Sequence, residues 1–225
     1  MYFCPVLTKK LNSMDNFPAP NTPSSGADSS TEQRIFDAAH ELFVHKGLDG
    51  AKMQEIADRA GINKALLHYY YRSKEKLYEM VAKAVISRAV PVVQQLIESD
   101  EPLEQKITRF IDFYIELVSR NPFVPLFVIN ELNKHPDRFF EAILPAQLPK
   151  PEVFFAQVEA EIAKGTIRPM KPQHILVNIV SMCIFPFVAK PMLRIVLGLN
   201  AEEMTTFLHE RKEEVKRFVF QAIKP

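Results

Sequence analysis

Apolar residues recur along most of the chain at the three- and four-residue spacing of amphipathic helices, and no stretch shows the alternation of a half-buried strand. Between Lys52 and Lys76 this spacing is interrupted at Gly61 and Asn63. Glycine supplies the left-handed conformation that ends a helix, and asparagine is a favoured N-cap. The pattern therefore predicts a helix, a tight turn and a short second helix from Lys64 to about Tyr70. The stripe of the first helix comprises Met53, Ile56, Ala57 and Ala60.

Two further helices are predicted around this pair. One begins at Thr31 and stops at Gly47, and its apolar face would cover the pair from behind. The other begins after Ser73, a good N-cap, and Pro91 is predicted to bend or end it. Together these elements predict a three-helix helix-turn-helix domain followed by a long connecting helix.

The remainder of the chain is helical in pattern and punctuated by proline, so the predicted fold class is all-α. The predicted helices are residues 103–120, 122–134, 136–143, 151–164, 172–197 and 201–223. Residues 1–30 contain prolines and serines without a sustained period and are predicted to be a disordered tail. Residues 31–76 then form the helix-turn-helix domain, and residues 77–225 form a second, helical domain.

The charge distribution changes this picture only locally. The formal net charge of +1 is no signature of a nucleic-acid-binding protein. Between Arg59 and Lys76, however, five positive residues face one negative residue, Glu75. A positive face on one short segment favours binding to phosphates. The alternative interpretation is that these charges form an ordinary solvated surface.

No pattern of catalytic or metal-binding residues is present in the sequence. The six histidines lack metal-ligand spacing, and no serine lies in a G-x-S-x-G motif. The two cysteines, Cys4 and Cys183, offer no basis for a disulfide framework. No run of 18 uninterrupted apolar residues predicts a membrane span. We therefore expect a cytoplasmic protein that is not an enzyme and needs no cofactor or metal.

The segment from about Thr31 to Val85 resembles the DNA-binding domain of the TetR family of bacterial transcriptional regulators. The resemblance rests on a framework of motifs. These are Phe43 and Gly47, then Ile56, Ala57, Ala60, Gly61, Ile62, Asn63 and Lys64, then His68 to Tyr71, and finally Ser73, Lys74, Glu75 and Leu77. It implies that the second helix enters the major groove of a double-stranded DNA operator.

The resemblance also implies a set of DNA-binding residues. Lys64, Leu66, His68 and Tyr69 would face the major groove, and Tyr70 and Lys74 would approach the backbone. The full candidate set is Lys52, Asn63, Lys64, Ala65, Leu66, His68, Tyr69, Tyr70 and Lys74.

The sequence departs from the family pattern at Ala51, Lys52 and Leu66. Ala51 and Lys52 replace hydroxyl residues that cap the first helix of the motif, so we expect Asp49 or Gly50 to take over the cap. Leu66 stands where threonine is common, and it would contact a thymine methyl or pack inward. The alternative for Tyr70 is core packing, which we expect outright for Tyr71.

By the same resemblance, the helical domain would bind a small molecule and form a homodimer through the last two helices, about residues 172–197 and 201–223. The effector is expected to be apolar or aromatic. Candidate pocket residues are Phe110, Phe113, Tyr114, Phe127, Asn130, Glu131, Phe154, Met182 and Phe185. The predicted function is a ligand-responsive repressor that releases its operator on binding the effector. The alternative is an all-α ligand-binding or interaction protein that keeps the helix-turn-helix scaffold without binding an operator.

Overall fold

The computed structural model describes residues 26–134 and 150–225, together with Asp137. Most of the predicted tail and of the predicted helix at residues 136–143 lies outside these residues. The described helices are α1 Gly26–Gly50, α2 Met53–Arg59, α3 Lys64–Tyr70, α4 Lys74–Glu98, α5 Leu103–Arg120, α6 Val124–Lys134, α7 Pro151–Ala163, α8 Pro172–Val188, α9 Lys190–Leu197 and α10 Ala201–Ile223. The all-α prediction is confirmed for this part of the chain, and α1 begins before the predicted Thr31.

The chain divides into two compact units, the first ending at Ala84 and the second beginning at Val85. In the first unit, α1 packs on α2 and α2 packs on α3. Gly47 has a φ of 65° and interrupts α1, as predicted, but one further turn continues to Gly50. The side chains that fill this core are inaccessible to solvent: Ile35, Phe36, Phe43, Ile56, Leu67, Leu77 and Val81.

In the second unit, α5, α8 and α10 pack on one another, and α6, α7 and α9 pack on α8. Ion pairs join α5 to α10 at three levels. They are Glu104 with Lys224 at 3.5 Å, Asp112 with Lys216 at 2.6 Å, and Glu116 with Lys212. Each step forward along α5 is matched by an equal step backward along α10, so the two helices run antiparallel with a fixed register.

The prediction of one helix over residues 172–197 is wrong. The helix ends at Val188, and α9 restarts at Lys190 with a bend of 78°. Pro191 explains the break, because proline lacks an N–H and its ring clashes with the carbonyl four residues earlier in a continuing helix. Pro91, by contrast, does not end α4, which continues to Glu98.

One helix among the described residues, α4, is long and apolar enough to cross a membrane, and the bent pair of α8 and α9 would qualify as a single span. About 39% of the apolar stretch in α4 is buried within the protein. Core helices of water-soluble proteins have the same composition, so length and hydropathy alone are weak support for a membrane span.

Candidate nucleic-acid interface

The N-terminus of α2 is closed differently from the prediction. Its N-cap is Lys52, and neither Asp49 nor Gly50 takes that position; no side chain in the described residues caps α2 through this position. Instead, Glu55 in the first turn accepts a hydrogen bond from the backbone N–H of Lys52. The Lys46 ammonium donates to the same carboxylate at 3.0 and 3.1 Å, and this contact is the largest cause that lowers the pKa of Glu55. Glu55 thus makes one of the two hydrogen bonds of a capping box, and the bond from an N-cap side chain is the one not made.

The turn between α2 and α3 is a Schellman motif. The N–H of Ile62 donates to the Ala57 carbonyl at 3.0 Å, and the N–H of Gly61 donates to the Asp58 carbonyl at 3.2 Å. This arrangement requires a left-handed residue after the C-cap, and Gly61 has a φ of 66°. The predicted role of Gly61 is confirmed.

Asn63 is the N-cap of α3, as predicted. Its Oδ1 accepts a hydrogen bond from the Leu66 N–H at 2.7 Å. Leu67 on the next turn is completely buried and holds α3 against the rest of the unit. The cap and this one buried anchor therefore determine which face of α3 points to solvent.

The solvent face of α3 carries most of the predicted base-reading residues. Lys64, Ala65 and His68 are exposed, and Tyr69 is 82% exposed. Leu66 is half-buried, so it is neither fully exposed, as contact with a thymine methyl would require, nor fully packed into the core. Four exposed side chains on this short helix are thus available to the edges of bases in a major groove.

Three consecutive tyrosines, Tyr69 to Tyr71, lie side by side at the end of α3. Tyr69 and Tyr70 make an edge-to-face contact at 5.7 Å between ring centroids, and Tyr70 lies 6.5 Å from Tyr71. Burial raises the pKa of Tyr71 to about 12, with a smaller contribution from Glu32. Tyr70 and Tyr71 are both half-buried, so the outright core packing expected for Tyr71 is only partly met, and Tyr70 lies against the exposed ring of Tyr69.

Lys74 at the start of α4 is tied to the end of α1. Its Nζ donates to the Asp49 carbonyl at 3.4 Å, and the side chain is half-buried. Ser73 accepts a hydrogen bond from the Lys76 N–H at 3.2 Å, which confirms its predicted role as a cap. Lys74 remains a candidate for a phosphate contact, but its amine is already partly engaged.

The positive face is smaller than the residue count between Arg59 and Lys76 predicts. Arg59 pairs with Glu41 at 3.1 Å, and both side chains are about half exposed. An exposed pair of this kind neutralises the local charge while adding little stability. The exposed cations that remain in this region are Lys52, Lys64, Arg72 and Lys76.

Three of the nine predicted pocket residues line one or the other of two cavities in the second unit. A cavity of about 350 Å³ lies between α8 and α10, and Met182 lines it together with Asn178, Ser181 and Phe218. Phe110 and Phe154 line a second cavity of about 20 Å³. The others line neither: Phe113, Tyr114 and Phe127 are largely or fully buried, Glu131 is half-buried, and Asn130 and Phe185 are exposed.

Sequence reasoning missed Lys106, which lines the smaller cavity and is only 2% exposed. A signal for it existed, because Lys106 lies three residues after Leu103 and next to Ile107, on the apolar stripe of α5. A lysine at a position where periodicity predicts an apolar residue is a candidate functional group.

Comparisons with known proteins agree with this architecture. A family model for bacterial regulatory proteins of the tetR family matches residues 35–81. The transcriptional regulator RutR of Escherichia coli K12 is 26% identical over 204 residues, which covers 89% of this chain and 94% of RutR. The transcriptional repressor KstR2 of Mycolicibacterium smegmatis is 28% identical over 110 residues, covering 48% of this chain and 53% of KstR2.

Among solved structures, the hemolysin II transcriptional regulator HlyIIR superposes with a TM-score of 0.55 at 21% identity, covering 88% of this chain and 98% of HlyIIR. At this identity the likeness concerns the fold. The sequence relatives are transcriptional regulators rather than enzymes. With the capped helix-turn-helix in residues 53–70 and the family match across it, residues 35–81 of this chain form a helix-turn-helix domain of the tetR family of bacterial regulatory proteins.

Proposed function

We propose that this protein is a cytoplasmic, homodimeric repressor that binds a DNA operator through α3 and releases it when a small molecule binds the second unit. The observation that carries the proposal is α3 itself. Asn63 and Leu67 hold the helix so that Lys64, His68 and Tyr69 project from one solvent-exposed face. Repression rather than activation follows the family resemblance and the repressor KstR2.

The apolar surface of α8 and α10 supports the homodimer. Val177 and Phe185, two turns apart on α8, are 58% and 51% exposed, and Phe218 on α10 is 63% exposed. Large apolar side chains on adjacent helices favour association, because covering them removes apolar surface from water. A symmetric dimer would present two α3 helices, as two half-sites about 34 Å apart on one face of DNA require.

Release on effector binding would follow from this geometry. Two recognition helices must dock simultaneously, so a small change in their spacing breaks one of the two contacts. A coupling free energy of only about 1–3 kcal/mol would change occupancy by roughly 5- to 150-fold. We expect an apolar or aromatic effector, because the cavities of the second unit are lined mainly by apolar side chains.

A gel-shift assay with the DNA upstream of the protein's own gene tests operator binding. We expect a specific complex whose affinity falls steeply with salt, because phosphate contacts release counterions. The control is a DNA fragment of the same length and scrambled sequence. Equal affinity for both fragments at all salt concentrations would contradict a specific operator.

Sedimentation equilibrium tests the dimer. We expect a dimer at micromolar concentration, and Phe218→Asp should shift it to monomer because a carboxylate would be buried without a partner. Leu126→Asp is the matched control, since Leu126 is 45% exposed on α6 and does not belong to the proposed dimer surface of α8 and α10. A wild-type monomer at these concentrations would overturn the proposed dimer.

Two observations favour the alternative of a scaffold that no longer binds an operator. Ala51 is buried and offers no hydroxyl to a phosphate, and Leu66 has no hydrogen bond to give a base. Under this alternative, ligand binding would persist while the gel-shift showed only weak nonspecific binding. The same salt titration therefore separates the two functions.

A further inference from the structure

Lys106 is a buried cation in an apolar part of the second unit. It lies on α5 between Leu103 and Ile107, and its side chain is 2% exposed. Among the described residues, no carboxylate lies within ion-pair distance of it, and Asp100 acts on it only as a more distant charge. Burial lowers the pKa of Lys106, which reflects the cost of keeping the ammonium group away from water.

The ammonium group closes the C-terminal end of α4. Lys106 Nζ donates to the Ile97 carbonyl at 2.7 Å and to the Ser99 carbonyl at 2.9 Å. Ser99 Oγ donates to the Leu96 carbonyl at 2.9 Å. Carbonyls at a helix end lack partners within the helix and carry partial negative charge, so a lysine is well placed there. Two of the three N–H groups of Lys106 are used in this way.

The third N–H has no hydrogen-bond partner among the described residues, and Lys106 lines the cavity of about 20 Å³. The remaining wall is apolar and includes Phe110, Phe154 and Leu176. A cavity of this size holds about one water molecule or the terminal group of a larger ligand. Phe110 and Leu176 are only half-buried, and a ligand with a longer apolar tail would have to displace these two side chains.

We propose that Lys106 anchors the carboxylate of the effector, and that the effector is a monocarboxylic acid with an apolar tail lying along Phe110, Phe154 and Leu176. This inference rests on the proposed function and names the ligand class of its sensing unit. The carboxylate of the effector would be the counter-ion of the buried ammonium group. Charge-assisted hydrogen bonds of this kind are among the strongest in proteins.

The number of available donors distinguishes a carboxylate from a phosphate. One free N–H suits a monoanion, whereas a phosphate carries more charge and more oxygens than one lysine can satisfy. A neutral alcohol or amide would leave the ammonium group without a counter-ion. The site therefore selects an acid over its neutral analogues.

Binding at Lys106 would act directly on the end of α4. The carboxylate takes the third N–H of an ammonium group that already donates to the Ile97 and Ser99 carbonyls, so the bound ligand is tied to that helix end. α4 begins at Lys74, immediately after the recognition helix, and continues without interruption to Glu98. The same helix therefore links the sensing residue to the DNA-binding unit along the chain.

Isothermal titration calorimetry with octanoate and decanoate, each compared with its matched primary alcohol, tests the proposal on the full chain. We expect the acids to bind about ten- to a hundredfold more tightly than the alcohols. Lys106→Met should abolish this preference by lowering the affinity of each acid to about that of its matched alcohol. Lys134→Met, at an exposed position on α6, is the matched control and should keep the preference. Circular dichroism checks that each variant is folded.

Equal affinity for acids and alcohols, no binding of either at millimolar concentration, or an acid preference that survives Lys106→Met would each overturn the proposal. If Lys106→Met does not fold, Lys106→Arg takes its place, because it retains a cation and should retain the preference for acids. The comparison of acids with alcohols on the wild-type protein needs neither variant. Calorimetry needs no operator, so a failed gel-shift leaves this test intact. Operator binding with no acid binding would reject this inference alone.

Discussion

Two asparagine-capped helices, α3 and α10, show how differently the two units are held together. α3 has seven residues, a length that is not stable alone in water, and it depends on the Asn63 cap, the Gly61 turn and buried Leu67. α10 has 23 residues and a complete capping box between Asn200 and Glu203. Its position is set along its whole length by packing and by the ion pairs with α5. The short helix therefore depends on a few local contacts, and the long one on many distributed contacts.

Their outward faces differ as well. The exposed residues of α3 are polar or amphipathic and suit a wet, charged partner such as DNA. The exposed face of α8 and α10 includes Val177, Phe185 and Phe218 and suits an apolar partner. The contrast assigns a different kind of contact to each unit.

The largest expected effect comes from the buried anchor of α3. Leu67→Ala should destabilise the first unit by about 2–5 kcal/mol, because it leaves a cavity where one side chain holds the helix. Urea unfolding followed by circular dichroism measures this change. Leu126→Ala, at a 45% exposed position, should change stability by less than about 0.5 kcal/mol. Similar losses in the two variants would contradict the dependence of α3 on one anchor.

The next effect separates base recognition from phosphate binding on this face. His68→Ala should reduce discrimination between operator and nonspecific DNA by about 1–3 kcal/mol, because an exposed group on α3 is lost. Lys74→Ala should weaken both DNAs alike and flatten the salt dependence. Gel-shift titrations at several salt concentrations measure both. An equal effect of His68→Ala on the two DNAs would remove it from the base-reading set.

A smaller effect compares the two caps directly. Asn63→Ala and Asn200→Ala should each cost about 1 kcal/mol of unfolding free energy. Asn63→Ala should also weaken operator binding, because α3 has few other contacts to keep its orientation. Asn200→Ala should leave operator binding unchanged. Matched loss of DNA affinity in both variants would show that the cap of α3 has no special role.

The smallest effect concerns the ion pairs between α5 and α10. Burial acts to raise the pKa of Glu116, but hydrogen bonds from Lys212 and Arg120 outweigh it and hold this pKa below the ordinary value of a glutamate. A lowered carboxylate pKa means that the stabilisation is present above the unfolded-state pKa and is lost as pH falls through the folded-state pKa. The Glu116 side chain is 27% exposed, so we expect at most about 1 kcal/mol.

Thermal unfolding between pH 3 and pH 7 checks this, with Glu116→Gln expected to be less stable near pH 7 and closer to wild type in acid. Glu159→Gln, at an exposed position on α7, is the control. An acid limb that is identical in Glu116→Gln and wild type would contradict a contribution from this carboxylate.

The helix-turn-helix was largely predictable because its signals are local. Gly61, Asn63 and Ser73 each act on backbone groups within a few residues, so their residue types already imply their roles. The cap of α2 was mispredicted, although Glu55 was visible as an acidic residue in the first turn. Its pairing with Lys46 depends on how α1 packs on α2, which spacing along one helix does not reveal.

The second unit was predictable as helices but not as a site. Apolar spacing identifies Phe110, Phe154 and Met182 as inward-facing, yet it cannot tell which of them line the same cavity. Pro191 causes the bend before α9 and is visible in the sequence. Because it lies within a long apolar stretch, the stretch was predicted as one helix. Lys106 interrupts an apolar stripe, and only the structure shows the two carbonyls that its ammonium group contacts.

The sequence by itself determined the fold class, the turn and the face of α3 that points outward, because capping, glycine conformation and helical periodicity act over a few residues. Only the tertiary structure decided the register of α5 against α10, the neutralisation of Arg59 by Glu41 and the burial of Lys106. These depend on contacts between residues far apart in the chain, and their energies follow from distance and solvent exclusion rather than from residue order.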